Sequence, residues 1–391
     1  MKFIHTADWH LGKLVQGVYM TEDQRHVLGQ LVETVERERP DAVVIAGDLY
    51  DRAIPPTDAV DLLDELLERI VVDLNTPVLA ISGNHDSPDR LDFATRIMEG
   101  RGLHLAGQLK AEHKPVVLRD EHGEVHVHLV PYADPAQVRY ILKDEAIRTH
   151  DEAMQAIVAR IEASMDPAAR HILVGHAFVT PGGEPQSNTS DSERPLSIGG
   201  AEHVRAEHFG KFHYVALGHL HQAHYVLGEH IRYAGSPLKY SISEETHRKC
   251  FYIVELDGQG IVSLERKELL PLRDMRRVVG TIEEIEGHDI CGDYAFVTLT
   301  NDDPVLFPME KVRAIYPNAL FVERRSASMA AILAAGEAAA GAAGKGRREA
   351  DPLELFAAFY EEVKGAALDE DKKRLFADTY EQLLREEGGI L

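Results

Sequence analysis

Residues 2–12 read KFIHTADWHLG, and the rest of the chain repeats what they do. Lys2–Thr6 is a short aliphatic run, which predicts a buried strand, and Asp8, Trp9 and His10 follow it at once. Polar residues directly behind a buried strand belong at the carboxyl edge of a sheet, where open α/β folds gather their ligands. Downstream, Ala42–Ala46 runs into Gly47-Asp48-Leu49-Tyr50-Asp51 and Val78–Ser82 into Gly83-Asn84-His85-Asp86. His171–Val174 then runs into Gly175-His176, and Tyr214–Leu217 into Gly218-His219-Leu220-His221. Val125–Val130 is a further run of the same kind. Between them lie helical stretches. Asp58–Val72 carries Leu63, Leu66, Leu67 and Ile70 at helical spacing, with Thr57 placed to cap its start. The alternation predicts a layered α/β fold with helices over the sheets.

Each motif alone is weak, since a Gly-Asp or Gly-His behind a strand is ordinarily a turn with a satisfied polar side chain. Five of them, each behind an apolar run, point to a shared site. Asp8, His10, Asp48, Asn84, His176, His219 and His221 offer oxygen and imidazole donors without sulfur. Such a set suits manganese, iron or zinc better than magnesium, which prefers oxygen alone. Seven donors exceed one ion and fit two divalent ions if one carboxylate bridges. Two ions roughly 3.5–4 Å apart can bind a phosphate and activate water against it. The glycines that precede four of the motifs are expected to turn the backbone sharply, aiming the next side chain into the site.

The five motifs resemble the calcineurin-like metallophosphoesterase signature, D-x-H, GD, GNH(D/E), GH and GHxH. The strings His5–Gly12, Ala46–Asp51 with Pro55-Pro56 following, Gly83–Ser87, Tyr214–His221 and Tyr233–Pro237 narrow the likeness. They are similar to the meiotic-recombination/SbcD family of nuclease subunits, over residues 1 to about 325. The resemblance implies a layered metallophosphoesterase β-sandwich flanked by helices, with a small α+β capping domain and C-terminal helices. It implies one ion on Asp8, His10, Asp48 and His221 and a second on Asp48, Asn84, His176 and His219, with Asp48 bridging and manganese (Mn2+) as the expected metal. His85 would act as general acid or hydrogen-bond the phosphate, with Asp86 orienting its ring. The implied substrate is DNA, cut as a 3'-5' exonuclease at duplex ends and as an endonuclease on single strands and hairpins. The implied assembly is a homodimer joined to an SbcC-like coiled-coil ATPase through the C-terminal helices. One departure stands out: archaeal relatives place a phosphate-contacting histidine where this chain has Asp51, and an ionised carboxylate cannot donate to phosphate. Arg52 is the candidate substitute.

The chain's 391 residues, 44% of them hydrophobic, fit two or three units. The expected division is 1–270 for the phosphoesterase, 271–325 for the capping domain in contact with DNA, 326–350 for an Ala/Gly-rich linker and 351–391 for helices that dock the ATPase, with packing back on their own domain the alternative. In the second unit, Arg277–Ile285, Tyr294–Thr300 and Ala319–Arg324 read as strands and Pro308–Ile315 as a helix. Asp351-Pro352-Leu353-Glu354 is a helix start, with Leu353, Phe356, Tyr360 and Val363 on one face, and Phe376, Tyr380 and Leu383 repeat the pattern. Thr180–Gly200 has no periodicity and reads as a long functional or disordered loop.

No run approaches ~20 apolar residues, so no membrane span is expected, and Met1–Gly17 lacks the basic start and cleavage site of a signal peptide. The only cysteines, Cys250 and Cys291, lie far apart, which fits a reducing, cytoplasmic setting and argues against a thiolate zinc site. No phosphate-binding G-x-x-x-x-G-K-[ST] loop occurs, so any ATP-driven step belongs to a partner. The net charge of −23 argues against tight, solitary DNA binding, although a surface kept acidic for solubility explains it equally well. His126, His128, His171, His213 and His224 read as structural or surface histidines, and Trp9 as a packing residue beside the site. A small-molecule phosphatase or cyclic-nucleotide phosphodiesterase on the same scaffold is the competing reading. The added unit after residue 270 and the tethered helices weigh against it, because a small substrate needs neither. A purely scaffolding role has no use for the complete donor set.

Overall fold

In the computed structural model of the chain, successive residues of the strand Ala42–Ile45 divide between two apolar layers. Val43 and Ile45 join one, Ala42 and Val44 the other. Val78 and Ala80 against Leu79 and Ile81 repeat the division, as do Ile4 against Phe3. A strand covered on both faces needs no polar alternation, which is why these segments are continuous apolar runs. The described residues are 1–183, 189–193, 196, 202–325, 353, 356, 357, 360 and 368–387.

Two six-stranded sheets face each other. The first has the order Ile261–Glu268, Cys250–Leu256, Lys2–Thr6, Ala42–Ile45, Val78–Ile81, Leu103–Ala106, and is parallel from Lys2–Thr6 onward. The second has the order His224–Val226, Gly228–Tyr233, Tyr214–Gly218, Arg170–His176, Gly123–Val130, Val116–Asp120, with a parallel centre. Phe3, Val44, Leu79, Val127, Ile172, Tyr214 and Val254 fill the space between the sheets. The helices Thr21–Glu38 and Thr57–Leu67 cover the outer face of the first sheet through Leu28, Leu31, Leu62 and Leu66. Pro135–Leu142 and His150–Glu162 cover the second through Val138, Ile157 and Ile161. The result is the expected helix-flanked sandwich. Register aligns the strand ends, with Thr6 beside Ile45 in one sheet and Gly218 beside His176 in the other.

Two element predictions need correction. Thr57 is the first residue of its helix and not its cap: Pro56, with φ −68° and ψ 156°, is the extended residue ahead of it. That helix ends at Leu67 and continues as a wider π-turn over Glu68–Asp73. The strand expected at Arg277–Ile285 stops at Gly280. There Thr281 accepts the Glu284 N–H at 3.3 Å, Glu284 accepts the Thr281 N–H in return, and Ile282–Glu286 becomes a helix. The capping box outweighs the apolar alternation.

Met275–Gly280, Tyr294–Leu299 and Ala319–Arg324 form a three-stranded sheet backed by its own apolar cluster around Ile285, Val297 and Val312. Met275, Tyr294, Phe296 and Leu320 share a second cluster with Val15 and Met20, and Met1–Leu299 with Val305–Glu323 is one compact unit. The other unit is Thr300–Pro304 with Arg324–Leu391. Within it Phe356 stacks on Phe376, centroids 4.2 Å apart, and Glu370–Glu387 is helical. The expected linker 326–350 and the Asp351-Pro352 helix start lie outside the described residues. Among the described residues no helix is long and apolar enough to cross a membrane.

Away from the strand ends that carry the motifs, Asp120 and Arg170 pair nearly out of solvent, with side chains 12% and 4% exposed. Arg170 also donates to the Gly123 and Asp257 carbonyls at 3.1 and 3.2 Å. The Arg170 bond holds the Asp120 carboxyl well below the usual aspartate range. Asp120→Ala, which leaves a buried guanidinium unpaired, is expected to cost about 3–5 kcal/mol at neutral pH. Because the folded carboxyl is the stronger acid, its contribution is complete above the ordinary aspartate pKa of ~3.9 and drains away as pH falls below it. Urea unfolding of both chains at neutral pH and near pH 3 checks this; an equal gap at the two pH values refutes it.

Candidate metal centre

The loops behind the aligned strand ends are stitched by backbone bonds. The Asp8 and His10 N–H groups donate to the Gly47 and Asp48 carbonyls at 3.0 and 2.9 Å, and Leu11 donates to Leu49 at 2.9 Å. Four candidate donors themselves occupy the left-handed region, with φ of 53° at Asp8, 45° at His10, 52° at Asp48 and 102° at His219. Each such residue costs on the order of 1–3 kcal/mol, a strain that concentrates at functional sites. This corrects the expectation about the glycines. Of those preceding the motifs only Gly47 turns with positive φ, at 90°. Gly218 serves close approach instead: a Cβ there would lie 1.9 Å from the Ala46 carbonyl oxygen of the facing sheet.

That approach brings all seven predicted donors into one connected cluster. His10 Nε2 lies 3.0 Å from His221 Nε2 and 3.6 Å from Asp48 Oδ2. On the other side of the same oxygen, His176 Nε2 lies 3.4 Å from Asp48 Oδ2 and 2.9 Å from Asn84 Oδ1, which is 3.3 Å from His219 Nδ1. Asp8 Oδ1 accepts the His219 N–H at 2.8 Å and lies 3.9 Å from His176 Nδ1. His176 Nδ1 donates to the Ala46 carbonyl at 2.9 Å, turning Nε2 inward. Donors held ~2.1 Å from one ion at right angles sit about 3 Å apart, so this spacing fits coordination.

The electrostatics point the same way. Asp8, Asp48, His10, His176, His219 and His221 are at most 5% exposed. Burial pushes the Asp8 carboxyl up to about 7, against His176 and His221. Burial opposes ionisation of Asp48 as well, yet His176 and His10 hold it well below the usual carboxylate range. Burial also opposes charge on His176, but Asp48 pushes it up to about 9, so the carboxylates draw a proton onto the ring. His10 and His219 are held well below the usual histidine range, chiefly by burial, in the neutral form that binds metal. Asp8 Oδ2 and His10 Nδ1 are buried without a hydrogen-bond partner. Buried anions and orphaned donors of this kind are what divalent cations compensate.

His85, at the half-buried edge of the cluster, is anchored twice: its N–H donates to Asp48 Oδ1 at 2.9 Å and Nδ1 donates to the Asp51 carbonyl at 2.8 Å. Asp86 does not orient that ring, which corrects the expected role. Its carboxylate turns back beneath the loops and accepts the Leu49, Tyr50 and Gly83 N–H groups at 3.1, 2.9 and 2.9 Å, locking the second motif to the third. Burial, then the charge of Asp48, pushes this carboxyl up to about 7.

Asp51 faces the cluster, its Oδ1 3.7 Å from His10 Nδ1 and paired with Lys13 Nζ at 2.8 Å. Arg52 is exposed. Among the described residues two trios place their donor atoms within 4.8 Å of one another: Asp8, Asp48 and His176, and His10, Asp51 and His85. Three further contacts had no motif to announce them. Gln24 donates to the Trp9 and His10 carbonyls at 3.1 and 2.7 Å. Glu193, from the long loop, accepts the His221 N–H at 2.6 Å, and Glu244 accepts from His221 Nδ1 at 3.0 Å. The one signal available was at Gln24, a glutamine in line at helical spacing with Val27, Leu28 and Leu31. Trp9 is fully buried and donates to Thr6 Oγ1 at 2.9 Å. His128 lies between His113 and His171 at 3.0 Å from each, a chain of rings that joins two strands of the second sheet to the loop ahead of Val116–Asp120.

Residues 1–223 match the family model described as calcineurin-like phosphoesterase, and residues 271–364 match the type 5 capsule protein repressor C-terminal domain. Two proteins named as the D component of nuclease SbcCD, from Staphylococcus epidermidis and Staphylococcus saprophyticus, are each 36% identical over 324 residues, 82% of this chain and 84% of each relative. A dimetal phosphatase structure from Danio rerio aligns with 69% of this chain and 99% of its own at 14% identity and a TM-score of 0.41, a likeness too slight to argue from.

Proposed function

Because the chain belongs to the calcineurin-like phosphoesterase family, in the SbcD branch, we propose that it is the nuclease component of a DNA-processing complex. One observation carries the reading: Asp48 Oδ2 lies within 3.6 Å of His10 Nε2 and 3.4 Å of His176 Nε2, so one carboxylate reaches both donor groups. Asp8, His10, Asp48 and His221 would hold one ion, and Asp48, Asn84, His176 and His219 the other, with manganese the metal to test first. When bound, such a pair supplies a clamp for the scissile phosphate and an acidified water. The residues supply the rest. His176 is fixed through Nδ1 with Nε2 inward, and His85 is fixed through Nδ1, leaving Nε2 to move a proton at the leaving oxygen. Lys13, anchored by Asp51 beside His10 and His85, brings a cation to a rim that Asp51 alone would leave anionic.

The finer assignments are cleavage of duplex ends in the 3'-5' sense and of single strands and hairpins, within the cytoplasm, by a homodimer bound to an SbcC-like coiled-coil ATPase. A net charge of −23 supports a partner that helps hold the DNA. Purified chain with manganese is expected to nick plasmid and open hairpins, and to lose both activities in chelator. Hydrolysis of cyclic nucleotides without cleavage of any DNA, even with the ATPase added, overturns the reading in favour of a small-molecule phosphodiesterase. Removing the residues from Asp351 onward is expected to abolish capture of the ATPase while sparing basal nicking; an intact complex in a pull-down refutes that docking role.

A further inference from the structure

Glu244 belongs to none of the five motifs. It closes the short turn Ile242–Glu244 and is fully buried, although carboxylates are rarely buried without a specific partner. Its surroundings are all donors. Oε1 accepts from His221 Nδ1 at 3.0 Å, from Ser190 Oγ at 2.7 Å and from Ser192 Oγ. Oε2 accepts from Lys249 Nζ at 2.6 Å and from the Tyr240 N–H at 3.3 Å. Five donors converge on one carboxyl, and only an ionised group, which is acceptor-only, satisfies them all. Lys249 is itself buried, 7% exposed, and donates further to the His221 carbonyl at 3.0 Å and to Ser236 Oγ at 2.8 Å.

We propose that Glu244, with Lys249 as its countercharge, is a positioning residue that sets the affinity of the ion held by His221. The inference rests on the reading of His221 as a ligand. An imidazole whose Nδ1–H is given to a carboxylate keeps its lone pair on Nε2, the nitrogen that faces His10 Nε2 at 3.0 Å. The same bond fixes the plane of the ring and makes it a stronger donor. Lys249 clamps the same unit from two sides, because it holds both the carboxylate that orients the ring and the backbone carbonyl of His221. Ser190, Ser192 and Glu193 draw the described part of the long loop onto this unit, and Ser192 Oγ lies 2.8 Å from His221 Nδ1.

The test is manganese binding by the full chain, measured by calorimetry and by the electron spin resonance of the bound ion. Wild type is expected to take two ions. Glu244→Gln, which keeps the size but removes the charge, is expected to weaken one of them by ~10–100-fold and leave the other unchanged. Glu244→Asp is expected to recover part of the loss. Since Glu244→Gln strands a buried ammonium, Glu244→Gln/Lys249→Met, which buries no charge, carries the same test if the single variant fails to fold. A folded variant with both affinities unaltered overturns the proposal. His221→Ala run alongside separates the two failures: if it too retains both ions, the ligand reading of His221 has failed rather than the role of Glu244.

Discussion

Asp48→Asn is expected to leave the chain folded and to slow manganese-dependent DNA hydrolysis by roughly three orders of magnitude, a loss of about 4 kcal/mol in transition-state stabilisation. The substitution keeps the size of the side chain and an oxygen for the His85 N–H, which now donates to Asp48 Oδ1 at 2.9 Å. What it removes is the charge between the two donor groups, at the atom 3.6 Å from His10 Nε2 and 3.4 Å from His176 Nε2. An amide cannot bridge two cations as a carboxylate can, so metal analysis should find fewer than two ions per chain. The apoprotein is expected to be somewhat less stable, because His176 and His10 hold the Asp48 carboxyl ionised against its burial and an amide forfeits those charge contacts. A variant that keeps both ions and near wild-type rate would show that Asp48 is not shared.

His85→Ala is expected to keep both ions and lose ~10²–10⁴-fold in kcat with little change in KM, the range for removing a general acid. Only the ring is lost; the backbone N–H that braces Asp48 remains. The bond from Nδ1 to the Asp51 carbonyl leaves Nε2 as the nitrogen that would meet a leaving oxygen. The contrary outcome has a structural basis of its own. The His85 donor atom lies within 4.8 Å of those of His10 and Asp51, so loss of an ion from His85→Ala would reassign this ring as a ligand. Kinetics and metal content measured on one preparation separate the two roles.

The strands, the order of the motifs and the seven candidate donors were legible in the chain because they are local. A run such as Ala42–Ile45 is apolar throughout because both its faces are covered, and a polar cluster at its end stands out against it. Two local features were not legible: the capping box at Thr281 outcompetes apolar spacing, and the extended residue ahead of the Thr57 helix is Pro56, which supplies no side-chain cap. The site's internal wiring was not legible at all. Asp86 reaches back to Leu49 and Tyr50, Gln24 holds the carbonyls of Trp9 and His10, and Glu244 meets His221 across a turn. No periodicity encodes those meetings. They arise where loops behind neighbouring strands meet one another and where the two sheets meet, the latter closely enough that Gly218 must lack a Cβ against the Ala46 carbonyl. Residue types along the chain therefore determined which groups could bind metal. The packing of one sheet against the other decided which oxygen lies between the donors, which ring is fixed and by whom, because distance and orientation arise only when segments far apart in sequence are pressed together.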